Sequence, residues 1–270
     1  MKKSKLAKVL TVSLAALMVF GLASCGGGSG KVSDKDITVI SREEGSGTRD
    51  AFTELTGVLQ DDVDKTVDTA EISNSTSVVT QSVAGNDAAI GYISLGSLDD
   101  TVKAVKVDGV EATVDNIKSG DYKIQRPFNI VTKGEVKELP ADFIKFIMSK
   151  DGQKIIEDEG YISVNENAEA YKASGLKGSI TLAGSTSVSP VMEVLADKYK
   201  ELNSGVTIEI QQTGSGAGIQ STTEGVCDIG MASRELKDEE TSQGLKSEEI
   251  ALDGIAVIVN KDNGVEDLSM

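Results

Sequence analysis

Arg42-Glu43-Glu44-Gly45-Ser46-Gly47-Thr48-Arg49-Asp50 lies between a short apolar run, Ile37-Thr38-Val39-Ile40, and a segment with helical character, Ala51-Phe52-Thr53-Glu54-Leu55. A strand, a Gly/Ser/Thr turn and a helix in succession leave backbone N–H groups free at a helix start, where an anion is well placed. Ser46 and Thr48 add hydroxyl donors, Gly47 lets the main chain approach closely, and Arg42 supplies a planar cation suited to an oxyanion. The arrangement recurs. Ala183-Gly184-Ser185-Thr186-Ser187-Val188-Ser189-Pro190 follows the strand Ser179–Leu182 and precedes a helix, Val191 to Leu202; Thr213-Gly214-Ser215-Gly216-Ala217-Gly218 follows the strand Val206–Ile210. Three such loops in one chain point to a single ligand approached from several sides.

Composition narrows the chemistry. The chain has 270 residues, 39% hydrophobic and 26% charged, enough for one large or two modest domains with real cores. Removing the four lysines of residues 1–24 takes the net charge from −16 to −20. So acidic a chain is a poor partner for nucleic acid or an anionic lipid surface. An anion bound by it has to be held by short-range hydrogen bonds, since the overall field repels it. No histidine is present, which excludes Ser-His-Asp and Cys-His catalysis and any histidine-based metal site. Cys25 and Cys227 are the only cysteines, so neither a disulfide framework nor a thiolate zinc site is available; Cys227 reads as a buried apolar residue in a strand-like run. No cofactor or metal is expected. A phosphoryl-transfer or hydrolytic enzyme is disfavoured, because the chain has no G-x-x-x-x-G-K-[ST] motif and no identifiable base beside a serine.

Residues 1–24 read as a leader: Lys2, Lys3, Lys5 and Lys8 precede an apolar stretch from Val9 to Leu22, and Leu22-Ala23-Ser24-Cys25 has the form of a lipobox. Residues 25–35 are Gly-rich and read as a tether. Beyond them, strands alternate with helices: helical Ser77–Ala84, a buried strand Ala89–Ile93, a half-exposed strand Val102–Val107, a strand Phe128–Thr132, and helices Ala141–Met148 and Gly152–Glu159. Asn74-Ser75-Thr76-Ser77 serves either as a helix cap or as a further ligand loop. Residues 165–177 are polar and read as a linker. The alternation indicates an α/β fold with largely parallel sheets.

The segments SREEGSGTRDAF, GSITLAGSTSVSPVMEVLADKYK, TGSGAGIQ, CDIGMASRELKDEE, ALDGIAVIVN and AIGYISLGSLDD, with RPFNIVTKGE and GQKIIEDEGYISV, resemble the phosphate-binding lipoproteins of bacterial ABC-type phosphate importers. The resemblance implies a two-lobed, periplasmic-binding-protein type II-like fold with crossing strands near ALDGIAVIVN and RPFNIVTKG. It implies one lobe over 36–127 carrying the SREEGSGTRD loop and another over 128–270 carrying the AGSTSVSP and TGSGAG loops. By motif match, the phosphate contacts are Arg42, Ser46, Gly47, Thr48, Ser185, Thr186, Ser187, Ser215, Ser233 and Arg234. Arg234 reads equally as a partner for Glu235 and Asp238. Some members carry an aspartate at the position of Ser233, where this chain has a hydroxyl that can accept or donate, so the resemblance leaves phosphate/sulfate discrimination open at this position. The partners implied are inorganic phosphate, an ABC permease, and the outer face of the cell membrane through lipid on Cys25. One departure stands out: the AGSTSVSP half follows the SREEGSGTRD half, where the resemblance places it first. The chain is then either a circular permutation that rebuilds the same site, or a rearranged or truncated remnant with weak or no binding; a binder of another tetrahedral oxyanion such as sulfate is the further alternative.

Overall fold

A computed structural model describes residues 36–270. The leader, the tether and Cys25 lie outside the described residues. In chain order the elements begin β1 (Thr38–Arg42), α1 (Gly47–Leu55), β2 (Leu59–Gln60), β3 (Val63–Asp64), β4 (Glu71–Ser73), α2 (Thr76–Ala84) and β5 (Ala89–Ser94). Then come β6 (Val102–Ala104), β7 (Lys106–Val107), α3 (Val114–Lys118), β8 (Gln125–Lys133), α4 (Glu138–Ile147), α5 (Lys150–Asp158) and β9 (Ile162–Ser163). The remainder is β10 (Gly178–Gly184), α6 (Ser189–Leu202), β11 (Val206–Gln212), α7 (Ser215–Glu224), β12 (Ile229–Ala232), α8 (Asp238–Thr241), β13 (Leu245–Asn260) and β14 (Asp267–Leu268).

One path of strands, β11-β10-β12-β8-β13-β5-β1-β4, runs through the molecule, and β13 is its pivot. The first part of β13 pairs antiparallel with β8, from Leu245 opposite Lys133 to Gly254 opposite Gln125. Its last part leaves β8 and pairs with β5, from Ile255 opposite Ser94 to Val259 opposite Ile90, and with β6. Two half-sheets therefore share one 16-residue strand. This differs from a lobe spanning all of 128–270, because residues 255–260 and β14 hydrogen-bond to strands of the 36–127 segment. The reason is legible in Ile255-Ala256-Val257-Ile258-Val259. A continuous apolar run suits a strand covered on both faces, and here alternate residues enter two different cores.

In the main sheet, parallel pairing is confined to each half: β10 with β11 and β12, and β1 with β4 and β5. In the first of these halves, α4, α5 and α6 pack Phe143, Phe146, Ile156, Leu195 and Tyr199 onto the Ile180, Leu182, Ile229 and Met231 face. On the opposite face Ile219 of α7 packs with Val131, Ala232 and Leu245. The other half is a three-layer stack. Val79 and Val83 of α2 cover one side with Ile40 and Ile93, while Ala51 of α1 and Ile117 of α3 cover the other. Phe52 of α1 stacks on Tyr92 of β5 with ring centroids 4.0 Å apart, which fixes α1 and the loop before it.

The strand read as starting after Pro127 instead begins at Gln125 and contains it. Pro127 lies opposite Leu252, close to a register shift at Glu249/Ala251, where a missing N–H disturbs the ladder least. The strand read over 102–107 is split at Val105. Cys227 is buried at a turn ahead of β12, and burial raises its thiol pKa, consistent with a packing role. The segment 165–177 is irregular but anchored. Tyr171 and Ser174 donate to Asp142 Oδ2 at 2.6 and 2.7 Å, and Gly175 N–H donates to Asn203 Oδ1 at 3.2 Å.

Candidate anion-binding site

Four helix N-termini meet where the two halves face each other. Each follows a strand of its own half: β1 leads to α1, β4 to α2, β10 to α6 and β11 to α7. Strand carboxyl ends and helix starts therefore gather on one side of the sheet, the usual ligand side of an open α/β sheet. Each start contributes roughly half a positive charge and free N–H groups, a local field opposite in sign to the chain's net charge. Glycine makes the loops possible. Gly184 has a φ of +146°, and a Cβ there would strike the Met231 carbonyl. At Gly47 the limit is the other half: an added Cβ would lie 2.6 Å from Ser215 Oγ and 2.7 Å from Ser233 Oγ.

The hydroxyls form one buried network across the seam. Thr48 Oγ1 lies 2.9 Å from Ser187 Oγ, which is 3.1 Å from Thr76 Oγ1. Thr76 Oγ1 is in turn 3.2 Å from Thr186 Oγ1. Ser185 donates to Ser233 Oγ at 3.0 Å, and Ser215 Oγ accepts from Ser233 N–H at 3.2 Å. Gly216 N–H donates to Gly45 C=O at 2.9 Å, joining the third loop to the first. Arg42 reaches the network directly, donating to Thr186 Oγ1 at 3.2 Å and Thr76 Oγ1 at 3.4 Å while Glu43 takes two more of its N–H groups at 2.9 Å each.

Of the residues singled out from sequence, Arg42, Gly47, Thr48, Ser185, Thr186, Ser187, Ser215 and Ser233 come together in this cluster. Ser46 borders it: its hydroxyl caps α1, accepting from Arg49 N–H at 3.4 Å. Arg234 does not join the hydroxyls. It donates to both carboxylate oxygens of Glu240 at 2.8 Å and lies 3.0 Å from Asp50 Oδ2 on the other half, though poorly aligned for a hydrogen bond. Burial works against its charge, and Glu240 and Asp50 outweigh that and keep its pKa high. Arg234 is thus an ion pair bridging the seam, with partners other than Glu235 and Asp238 carboxylates. It borders a cleft of about 1140 Å³ that opens beside α1 and is also lined by Arg49, Asp50 and Arg126.

The sequence motifs do not mark Arg126 or Asp253 as site residues, and they leave the role of Thr76 open. Thr76 lies in the cluster, while Ser75 makes no side-chain cap bond, so the Asn74–Ser77 turn presents a hydroxyl to the seam as well as starting α2. Arg126 of β8 donates to Thr48 Oγ1 at 2.7 Å and to Ser233 C=O at 3.2 Å. It pairs with Asp253 across the strands, Nη2 to Oδ2 at 3.1 Å, with both side chains almost wholly buried. Burial pushes Asp253 up to about 6 against the pull of Arg126 and the Ser94 hydroxyl, which donates to it at 2.9 Å. Only the register of β8 on β13 puts Arg126 opposite Asp253. The available signal was an arginine inside an apolar crossing strand, which is costly unless paired. Among the described residues, no group of three or more histidine, cysteine or acidic side chains is arranged to hold a metal ion.

Residues 28–151 and 169–270 match the family model of the PBP superfamily domain. The chain is 52% identical to the phosphate-binding protein PstS 2 of Streptococcus agalactiae serotype V, over all of this chain and 93% of that protein. The chain belongs to the PstS phosphate-binding protein family. A crystal structure from Streptococcus pneumoniae TIGR4, of a phosphate-binding protein of a phosphate ABC transporter, matches it with a TM-score of 0.69 at 51% identity, covering 86% of this chain and 92% of that one. The PstS of Bacillus subtilis aligns over only 53% of this chain and 46% of its own length, at 34% identity. The fold is the two-lobed PBP-like one, and the family consists of solute-binding proteins, not enzymes.

Proposed function

We propose that the chain is an extracytoplasmic solute-binding protein that captures inorganic phosphate between two lobes and delivers it to an ABC permease. The observation that carries this reading is the convergence of four helix N-termini, six or more buried hydroxyls and the Arg42 guanidinium on one point of the seam. A tetrahedral oxyanion offers acceptors on every side, which is what such a set of donors needs. Family membership and the named relatives point the same way.

On this reading Arg42, Gly47, Thr48, Ser185, Thr186, Ser187, Ser215 and Ser233 contact the anion, with Ser46 presenting the α1 start and Arg234 bracing the closed seam. The lobes are 36–127 and 128–254, and the end of β13 with β14 joins the first lobe, β13 crossing at Gly254–Ile255. Closure around the anion is the state the permease reads. Lipid on Cys25 and the 25–35 tether hold the protein at the outer membrane face; among the described residues no helix is long and apolar enough to cross a membrane. The order of halves is read as a working permutation: the S. agalactiae relative aligns from end to end, whereas the B. subtilis one aligns over about half. Titration calorimetry with phosphate and with sulfate tests the reading. One phosphate per chain, bound without turnover and more tightly than sulfate, is the expected result. No heat with phosphate would overturn it.

A further inference from the structure

The hydroxyl network has a direction, and two arginines set it. Arginine donates hydrogen bonds and accepts none. Thr48 Oγ1, 2.7 Å from Arg126 Nη1, therefore accepts there, and its own hydrogen is left to donate. Thr48 Oγ1 also lies 2.9 Å from Ser187 Oγ in the cluster, a pair in which either hydroxyl can donate. Arg42 acts on Thr186 and Thr76 in the same manner from the other side. Arg126 is held for this task. Asp253, directly opposite on β13, takes Nη2 at 3.1 Å and lies 3.4 Å from Nε. The ring of Phe128 lies 5.2 Å from the guanidinium carbon, and Ser233 C=O accepts from Nη1. A guanidinium held at so many points cannot turn away from Thr48.

From this geometry we infer that Arg126, clamped by Asp253 on the crossing strands, is a positioning residue for anion binding: it commits Thr48 to donate its hydroxyl hydrogen to the bound anion. The inference rests on the phosphate reading above and deepens it. With one lone pair engaged by Arg126, Thr48 has its hydrogen free for an oxygen of the anion. The clamp also lies where β8 and β13 pass between the half-sheets, so the donor set is assembled by the strands that join the lobes.

The test is a mutant cycle on the full chain, read as phosphate affinity by titration calorimetry. R126Q is expected to weaken phosphate binding by about tenfold or more, the usual cost of losing a charge-assisted hydrogen bond. T48V is expected to weaken it by a similar factor. The double variant R126Q/T48V should be no weaker than the weaker single one, because both remove the same donor. R126K, which keeps a cationic donor, should recover part of the loss, a recovery that lost packing alone would not give. Because R126Q leaves Asp253 buried without its partner, R126Q/D253N is made beside it and carries the test if R126Q does not fold. Losses that multiply in the double variant, or an R126Q/D253N affinity within twofold of the parent, overturn the inference while leaving phosphate binding intact. A parent chain that binds no phosphate overturns both.

Discussion

The half built on β10, β11 and β12 and the half built on β1, β4 and β5 offer similar loops to the same point, yet they are packed differently. The first concentrates its apolar residues in one thick aromatic core, with only a small cluster on the opposite face; in it Phe143, Phe146 and Tyr199 lie stacked, edge-to-face or tilted with centroids 5.0–6.5 Å apart. The second divides its apolar residues between two thinner cores on either side of one sheet. It also leaves Ile37, Val63, Val67 and Ile72 more than half exposed or close to it, and ends in the edge strand β4. The lesson is that ligand chemistry and mechanical strength are assigned separately. Arg42 and Thr48 sit on the weaker half, so contacts across the seam stabilise that half more than they do its partner.

The largest expected effects probe this asymmetry. Phe146→Ala opens the single thick core and should lower stability by about 3–5 kcal/mol, measured by denaturant unfolding. Val83→Ala in the α2 core should cost about 2 kcal/mol, and hydrogen exchange should show the loss confined to residues 36–107 and the end of β13. Equal and global losses from both would break the comparison. Asp142→Asn weakens the acceptor shared by Tyr171, Ser174 and Tyr199 and should cost about 1 kcal/mol, with faster proteolysis inside 165–177. An unchanged cleavage rate there would mean that the segment is held by something else.

The smallest effect is one of pH. Burial raises the folded-state pKa of Asp253 to about 6, above its unfolded value, so its contribution to stability is fully present below the unfolded pKa. That contribution is lost as pH rises through about 6. Asp142 has the opposite sign. Burial tends to raise it, but hydrogen bonds from Tyr171, Tyr199 and Ser174 prevail and hold it below the usual range, so its contribution is lost only in strong acid. The stability difference between the parent chain and D253N should therefore shift between about pH 4 and 6 and stay flat above; a flat difference throughout would show that Asp253 is already ionised across that range.

Much of this was legible from residues alone, because anion loops advertise themselves locally. Gly-Ser-Gly-Thr between a strand and a helix has few other uses, and Gly184 and Gly47 mark close approaches that only a glycine tolerates. What escaped were properties of pairing. Arg126 looks like any arginine until the register of β8 on β13 sets it against Asp253, and Arg234 was equally a ligand or a surface ion pair until α1 brought Asp50 across the seam. The departure of β13 from β8 at Ile255 was hidden for a similar reason. An apolar run states that a strand is covered on both faces but not which strands it joins.

Whether one anion bridges halves of unequal strength is read from thermal unfolding of the full chain against phosphate concentration. A single cooperative transition whose midpoint climbs steadily with the logarithm of phosphate concentration is the predicted result, since a ligand held by both halves stabilises only the joined state. A broad melt insensitive to phosphate, or two transitions of which only one responds, would contradict it.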